Sequence, residues 1–229
     1  MTITQLQSNH RWPVDLEIWH VEVSAADVIP DQMEDLNAAE RDRAMRYRLT
    51  ADRVRFVAAR SALRRLLGQR LGMAPAALTF VTGAYGRPAL ADYPDLSFNL
   101  SHAGSHALIT LSSQRLVGID IEGVDRSLDW RSITKLICTE SEQDMLDAAA
   151  PSLQATYFFR CWTAKEALLK ALGVGITDGL LALTVKLDGE GRQQPAIEAA
   201  SAVSGAAALH FHWLTDIPAY LGCIAYSDV

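Results

Sequence analysis

Apolar and polar residues alternate along positions 14–23 (Val-Asp-Leu-Glu-Ile-Trp-His-Val-Glu-Val), the two-residue period of a strand with one buried face. The period then lengthens. Residues 35–48 and 51–71 place apolar side chains at helical spacing, and in the second Val54, Val57, Ala58, Ala62, Leu66 and Leu67 form one stripe. Gly72, Ala74 and Pro75 end that helix. A short strand at 78–82 follows, then a turn at 83–88, then strands at 95–100 and 107–111 around Ser101-His102-Ala103-Gly104-Ser105. The second half has a similar order. A strand at 117–122 precedes helical pattern at 130–149 and a long helix at 152–172, which Gly173 and Gly175 stop. A strand at 181–187, a hairpin-type turn at 188–191 and strands at 208–214 and 219–226 complete the chain, while the Ala- and Ser-rich stretch 196–207 fits neither period.

The halves also resemble each other in sequence. At a shift of 105 residues, Ala59-Arg60-Ser61-Ala62-Leu63-Arg64-Arg65-Leu66-Leu67-Gly68 lies on Ala164-Lys165-Glu166-Ala167-Leu168-Leu169-Lys170-Ala171-Leu172-Gly173 without a gap. Arg55 falls on Arg160 and Leu78-Thr79 on Leu183-Thr184 at the same shift. The predicted fold class is α/β (α+β): two similar α/β subdomains about a pseudo-twofold axis, residues 1–114 and 115–229, with a cleft between them suited to a ligand.

Composition narrows the functional classes. The 229 residues, 49% hydrophobic and 21% charged, describe a globular chain able to bury a core in each half. No apolar run reaches the roughly 18 residues of a membrane span, and the first ten residues lack the basic and apolar regions of a secretory signal. Cys138, Cys161 and Cys223 are odd in number and widely spaced, which gives no zinc spacing or disulfide framework and fits a reducing cytoplasm. Net charge is −6, yet residues 41–70 hold ten arginines against Asp42 and Asp52. That window is near +8 in an acidic chain, which points to an anionic ligand at one place and not to nucleic acid.

The chemistry concentrates in two segments. In the strand Gly118-Ile119-Asp120-Ile121-Glu122, Asp120 and Glu122 share one face while Ile119 and Ile121 point into the core. In the helix Phe159-Arg160-Cys161-Trp162-Thr163-Ala164-Lys165-Glu166, Glu166 and Lys170 share a face. Three carboxylates and two lysines suit a hard divalent cation on a phosphate ester; a half-exposed strand and an ordinary helical ion pair are the plainer reading of each segment alone. Ser101 and His102 are adjacent on extended chain, so they point to opposite faces and do not make a hydrolase pair. Phe159 and Trp162 read as core, and His210 and His212, lacking a third ligand, as structural rather than zinc-binding.

Four segments in this order carry a resemblance: Gly86-Arg87-Pro88, Phe98-Asn99-Leu100-Ser101-His102-Ala103-Gly104, Val117-Gly118-Ile119-Asp120-Ile121-Glu122, and Trp162-Thr163-Ala164-Lys165-Glu166-Ala167-Leu168-Leu169-Lys170. They resemble the motifs of the Sfp-type 4′-phosphopantetheinyl transferases across roughly residues 40–176, with Arg87 where lysine is common and Leu100 where isoleucine is. The resemblance implies transfer of the 4′-phosphopantetheine arm of coenzyme A to a serine of an apo acyl or peptidyl carrier protein, releasing 3′,5′-ADP. It implies Mg²⁺ on Asp120, Glu122 and Glu166, and coenzyme A contacts from Arg43, Arg55, Tyr85, Gly86, Arg87, Pro88, Ser101, His102, Lys165 and Lys170. Glu166 and Lys170 are the expected catalytic residues, Lys170 at the pyrophosphate, with Glu166 or a metal-bound water as base.

Arg55, Arg87 and His102 are the expected grip on the coenzyme 3′-phosphate, which leaves the chemistry to the second half. Another Mg²⁺-dependent nucleotide enzyme stays open as an alternative, although no Walker-type loop is present. A non-catalytic coenzyme A or carrier-protein binding module stays open too. A duplicated chain can supply a two-lobed site as a monomer.

Overall fold

The computed structural model describes residues 1–23, 30–83, 85–124, 129–175, 179–189, 191–197 and 203–229. Ala84 of the expected 83–88 turn, Glu190 of the 188–191 turn and positions 198–202 of the ambiguous stretch lie outside the described residues. The first half runs β1 (Thr2–Gln5), β2 (Glu17–Glu22), α1 (Pro30–Glu34), α2 (Ala38–Met45), α3 (Thr50–Leu71), β3 (Phe80–Thr82), β4 (Pro88–Leu90), β5 (Ser97–Ala103) and β6 (His106–Ser112). The second runs β7 (Val117–Gly123), α4 (Trp130–Ile137), α5 (Glu140–Ala148), α6 (Pro151–Leu172), β8 (Leu183–Thr184), β9 (Ala196–Ile197), β10 (Leu209–Leu214) and β11 (Tyr220–Ser227). Among the described residues no helix is long and apolar enough to cross a membrane.

The class is mixed α/β, with antiparallel sheets. The first sheet has the order β1-β2-β6-β5 and the second β10-β11-β7. Apart from β1, both repeat one plan. A strand leads to two short helices and a 22-residue helix, and a closing hairpin returns so that its last strand pairs with the first strand. A two-stranded ribbon, β3–β4 or β8–β9, lies between the long helix and the hairpin each time.

The long helices end alike but not where the sequence shift puts them. Gly72 (φ +67°) and Gly173 (φ +70°) take the left-handed conformation that glycine tolerates, and each caps its helix. Those ends lie 101 positions apart rather than 105, so Gly68, aligned with Gly173 by sequence, falls inside α3. Helical residues match tolerably at either offset, one turn apart, and sequence alone chose the other.

Smaller departures have local causes. The pattern at 130–149 is broken into α4 and α5 by a capping box at Thr139 and Glu142. The expected strand 181–187 keeps two residues because a 3-10 turn occupies Leu180–Ala182.

Among the described residues four apolar clusters form, the smallest of them Leu36, Ala44 and Val57 where α2 meets α3. Of the other three, one lies between α3 and the first sheet (Val54, Leu63, Leu67, Phe98, Ile109), another between α6 and the second (Phe159, Leu168, Phe211, Ala225). The third joins the two sheets through Ile18, Leu108, Ile119, Ile121, Leu214 and Ile224, with Trp12 and Leu16 from the segment before β2. Ile119 and Ile121 thus face the shared core, as their alternation predicts, and Asp120 and Glu122 are left facing α6.

Candidate active site

β5 of the first sheet and β7 of the second run side by side without a backbone ladder. Side chains of alternate β5 residues join them instead. Val117 N–H donates to Ser97 Oγ (3.1 Å), and Ile119 N–H donates to Asn99 Oδ1 (2.9 Å). Ser101 Oγ donates to Asp120 Oδ1 (2.7 Å). This seam brings the two halves' polar groups together. α6 can lie against it because position 118 is glycine: a Cβ there would sit 2.1 Å from the Ala167 carbonyl oxygen and 2.3 Å from the Ala171 nitrogen.

The close approach delivers Lys170 and Glu166 to the seam. Lys170 Nζ donates to Asp120 Oδ1 (2.5 Å) and Ser101 Oγ (3.3 Å), and lies 3.1 Å from Glu166 Oε2. Trp162 Nε1 donates to Glu166 Oε1 (2.7 Å), so this tryptophan, read as core, also orients a site carboxylate. Asp120 is buried, and its Oδ2 has no hydrogen-bond partner.

The electrostatics are those of crowded acids. Burial raises the Asp120 pKa to about 6; Glu166 adds to the rise and Lys170 opposes it. Burial, then Asp120 and Glu166, raise Glu122 to about 7. Burial pulls Lys170 down, but Asp120 and Glu166 outweigh it and its pKa ends above the ordinary value, so the ammonium stays charged.

Two cavities open beside the seam and share Gly86, Pro88, Asn99 and Leu100 as walls. The larger, about 650 Å³, lies within the first half and is lined by Arg43, Arg46, Arg60 and His102 together with the rings of Phe56 and Phe80. The smaller, about 460 Å³, takes in Tyr85, Arg87 and Lys170. A basic chamber therefore leads to a carboxylate–lysine cluster.

Comparison with known sequences identifies the chain's relatives. The profile of the 4′-phosphopantetheinyl transferase superfamily matches residues 116–219, and that of a 4′-phosphopantetheinyl transferase N-terminal region matches 26–114. A 4′-phosphopantetheinyl transferase of Nostoc, HetI, is 34% identical over 169 residues, which are 71% of this chain and 70% of the relative. The chain belongs to the 4′-phosphopantetheinyl transferase superfamily.

A putative 4′-phosphopantetheinyl transferase of Synechocystis is 35% identical over 155 residues, 67% of this chain and 63% of that protein. The transferase AcpT of Escherichia coli K12 is 36% identical over 110 residues, 48% of this chain and 55% of its own. A solved holo-ACP-synthase from Plasmodium yoelii aligns at 19% identity and TM-score 0.37, over 48% of this chain and 91% of that one.

Within this transferase-family fold, the residues expected at the site divide. Asp120, Glu122, Glu166, Lys170 and Ser101 meet at the seam, and Arg43, Gly86, Pro88 and His102 line the large cavity. Ser101 and His102 do point to opposite faces, one to Asp120 and the other to the cavity. Loss of surrounding water, then the charges of Arg55 and Lys170, lower the His102 pKa. Arg55 stands near His102 but is ion-paired with Asp52 and reaches the Gly104 carbonyl (3.5 Å).

Two residues expected to contact the coenzyme have their side-chain nitrogens turned to other partners. Lys165 points away from the cleft into the second core, fully buried, where Nζ donates to Ile137 O (2.8 Å) and Glu142 Oε2 (2.5 Å). One position along a helix turns a side chain by about 100°, so the neighbour of a site glutamate faces elsewhere. Arg87 lines the smaller cavity, but its terminal nitrogens are committed inside the protein. Nη1 donates to the carbonyls of Lys170 and Ala171, and Nη2 to Ser97 Oγ (3.0 Å) and Val117 O (2.9 Å).

Sequence reading missed Arg60. Its Nε donates to Glu40, its guanidinium lies 4.1 Å from the Phe80 ring centroid, and it lines the basic cavity. Glu40 caps α2 and also holds buried Arg64 (2.6 Å). The spacing of Asn37 and Glu40 signals that capping box, but nothing local reveals a carboxylate shared with a helix twenty residues on.

The cluster Cys138, Glu142 and Cys161 has its ligand atoms within 4.8 Å of one another. It is a poor cation site. Lys165 neutralises Glu142, whose oxygens also accept from Thr139 N–H (2.7 Å) and Val185 N–H (2.8 Å).

Proposed function

We propose that this chain transfers the 4′-phosphopantetheine arm of coenzyme A to a serine of an apo acyl or peptidyl carrier protein and releases 3′,5′-ADP. The carrying observation is the meeting of Asp120, Glu122, Glu166 and Lys170 beside a basic cavity. In this reading residues 1–114 grip the nucleotide end, because every residue lining the basic cavity lies between 37 and 102. Residues 115–229 carry the metal and the chemistry, in a cytoplasmic monomer.

Mg²⁺ fits the residues present. The unpartnered Asp120 Oδ2 and the raised pKa values of Asp120 and Glu122 mark carboxylates short of positive charge. Asp120, Glu122 and Glu166 would hold the ion, which when bound supplies Lewis-acid stabilisation of charge on the pyrophosphate.

The chain's own groups do the rest. Arg43, Arg46, Arg60 and His102 receive phosphate in the basic cavity and fix the nucleotide there. Ser101 aims Asp120, and Trp162 aims Glu166. The carrier serine oxygen forms a bond to the pantetheine-bearing phosphorus as that phosphorus parts from the ADP oxygen, which leaves with the electron pair. Lys170, charged and at the seam, donates to the developing charge on that leaving oxygen. The serine proton passes to Glu166 or to a water.

Incubation of an apo carrier protein with this protein, coenzyme A and Mg²⁺ tests the reading by mass spectrometry. The expected product is the carrier plus one phosphopantetheine, absent when EDTA replaces Mg²⁺. An unmodified carrier, with several carrier types tried, would refute transfer.

A further inference from the structure

Arg87 reaches three elements from one side chain. It stands just before β4, and Nη2 bridges β5 at Ser97 Oγ (3.0 Å) and β7 at Val117 O (2.9 Å). Nη1 takes the carbonyls of Lys170 and Ala171 at the end of α6. Those carbonyls lie in the last turn, where Lys170 O takes only the capping Gly173 N–H (3.2 Å) from the backbone, so an arginine fork from the other half of the molecule adds to the cap. The left-handed turn at Gly173 leaves room: a Cβ there would be 3.2 Å from Arg87 Cδ.

The same seam carries the reacting groups. Ser97, whose Oγ accepts from Val117 N–H of β7 and from Arg87, alternates along β5 with Asn99 and Ser101, and Ser101 meets Asp120 and Lys170. Arg87 therefore holds the backbone of the residue whose ammonium serves the leaving group. Lys170 Nζ has to span from α6 to Asp120 across this joint, and the joint's geometry sets where the ammonium lies.

We propose that Arg87 is a positioning residue that acts through Lys170, and not a ligand of the coenzyme phosphates. This rests on the transferase reading. Lysine would keep the charge but gather its three donors on one nitrogen, where the fork now spreads over four acceptors on three elements. A phosphate contact tolerates that exchange. A clamp does not.

The test compares wild type, Arg87→Lys and Ser97→Ala, with turnover normalised to folded protein. Coenzyme A and dephospho-coenzyme A binding are measured separately by calorimetry. Arg87→Lys should lower kcat about ten- to a hundredfold, as misplacement of a reacting group by a fraction of an ångström to 1 Å does. Its KM and Kd for coenzyme A should stay within about threefold of wild type, and its preference over dephospho-coenzyme A should not change.

Ser97→Ala removes one of the clamp's acceptors while leaving the arginine charge in place, and should lower kcat in the same sense by a smaller factor. It keeps the proposal falsifiable should Arg87→Lys fail to fold. A rise in Kd with lost discrimination against dephospho-coenzyme A would make Arg87 a phosphate ligand and overturn the proposal. So would unchanged turnover per folded molecule in either variant, which would leave only a structural role. Absence of transfer by wild type would instead refute the transferase reading itself, and the calorimetry would still report whether Arg87 touches the coenzyme.

Discussion

Lys165 and Lys170 stand on one helix, and each meets a buried carboxylate across a gap of 2.5 Å. Their surroundings differ. Around Lys165 the charges are closed: the ammonium also donates to Ile137 O, and Glu142 accepts from two backbone N–H groups besides. Around Lys170 they are open. Asp120 Oδ2 has no partner, Glu122 and Glu166 crowd the same ammonium, and burial leaves two carboxylates with raised pKa values. Burial alone does not make a site. A polar cluster becomes a candidate for chemistry when its pairing is left incomplete beside a cavity, and a structural element when every group is satisfied.

The largest expected effect falls on the closed pair. Glu142→Ala or Lys165→Ala strands a buried charge and should lower stability by about 3–5 kcal/mol in denaturant unfolding. The double change Lys165→Met with Glu142→Gln removes both charges and keeps an acceptor for the Thr139 and Val185 N–H groups, and should recover part of that loss. A single variant within about 1 kcal/mol of wild type would erase the contrast.

Next comes the open pair. Asp120→Asn keeps the Ser101 and Lys170 contacts in shape and removes one charge. Turnover should fall about 10²–10³-fold, the scale of losing a group aimed at transition-state charge. Thermal stability should hold or rise.

In the basic cavity, Arg60→Ala and His102→Ala should each weaken coenzyme A binding about ten- to a hundredfold, the value of one charge-assisted hydrogen bond to phosphate. Dephospho-coenzyme A should lose little further. Calorimetry on both ligands separates these outcomes.

The smallest effect concerns pH. Asp120 and Glu122 have folded pKa values of about 6 and 7, above the ordinary carboxylate values of 3.8 and 4.5. Between about pH 4 and 7 the folded state binds more protons than the unfolded one, so these groups' contribution to metal-free stability is lost as pH rises through that window. Mg²⁺ relieves the same repulsion. Its stabilising shift in Tm should be larger at pH 8 than at pH 5.5, and an equal or reversed shift would place the ion elsewhere.

The site's carboxylates were legible in the sequence because strand alternation and the four-residue helical repeat dictate which side chains share a face. Asp120 and Glu122 oppose Ile119 and Ile121 as the pattern predicts, and Glu166 and Lys170 pair at 3.1 Å. Long-range partners were not legible. Lys165 and Arg87 lie within the matched motifs, yet their hydrogen bonds end on residues from 10 to 84 positions away, which no local period encodes. Arg60 shows the same limit, since Glu40 reaches it only once α2 packs on α3. The repeated plan was visible, but its offset was one turn off because helical residues align at neighbouring turns equally well.

The most direct test of the contrast is a side-by-side transfer assay on an apo carrier protein with coenzyme A and Mg²⁺, each variant checked for folding by its thermal transition. Wild type and the Lys165→Met, Glu142→Gln double variant should both load the carrier with phosphopantetheine. Asp120→Asn, equally well folded, should leave it almost entirely unloaded. Loading by Asp120→Asn at the wild-type rate, or its loss in a folded double variant, would contradict the assignment of chemistry to the Lys170 side of the helix.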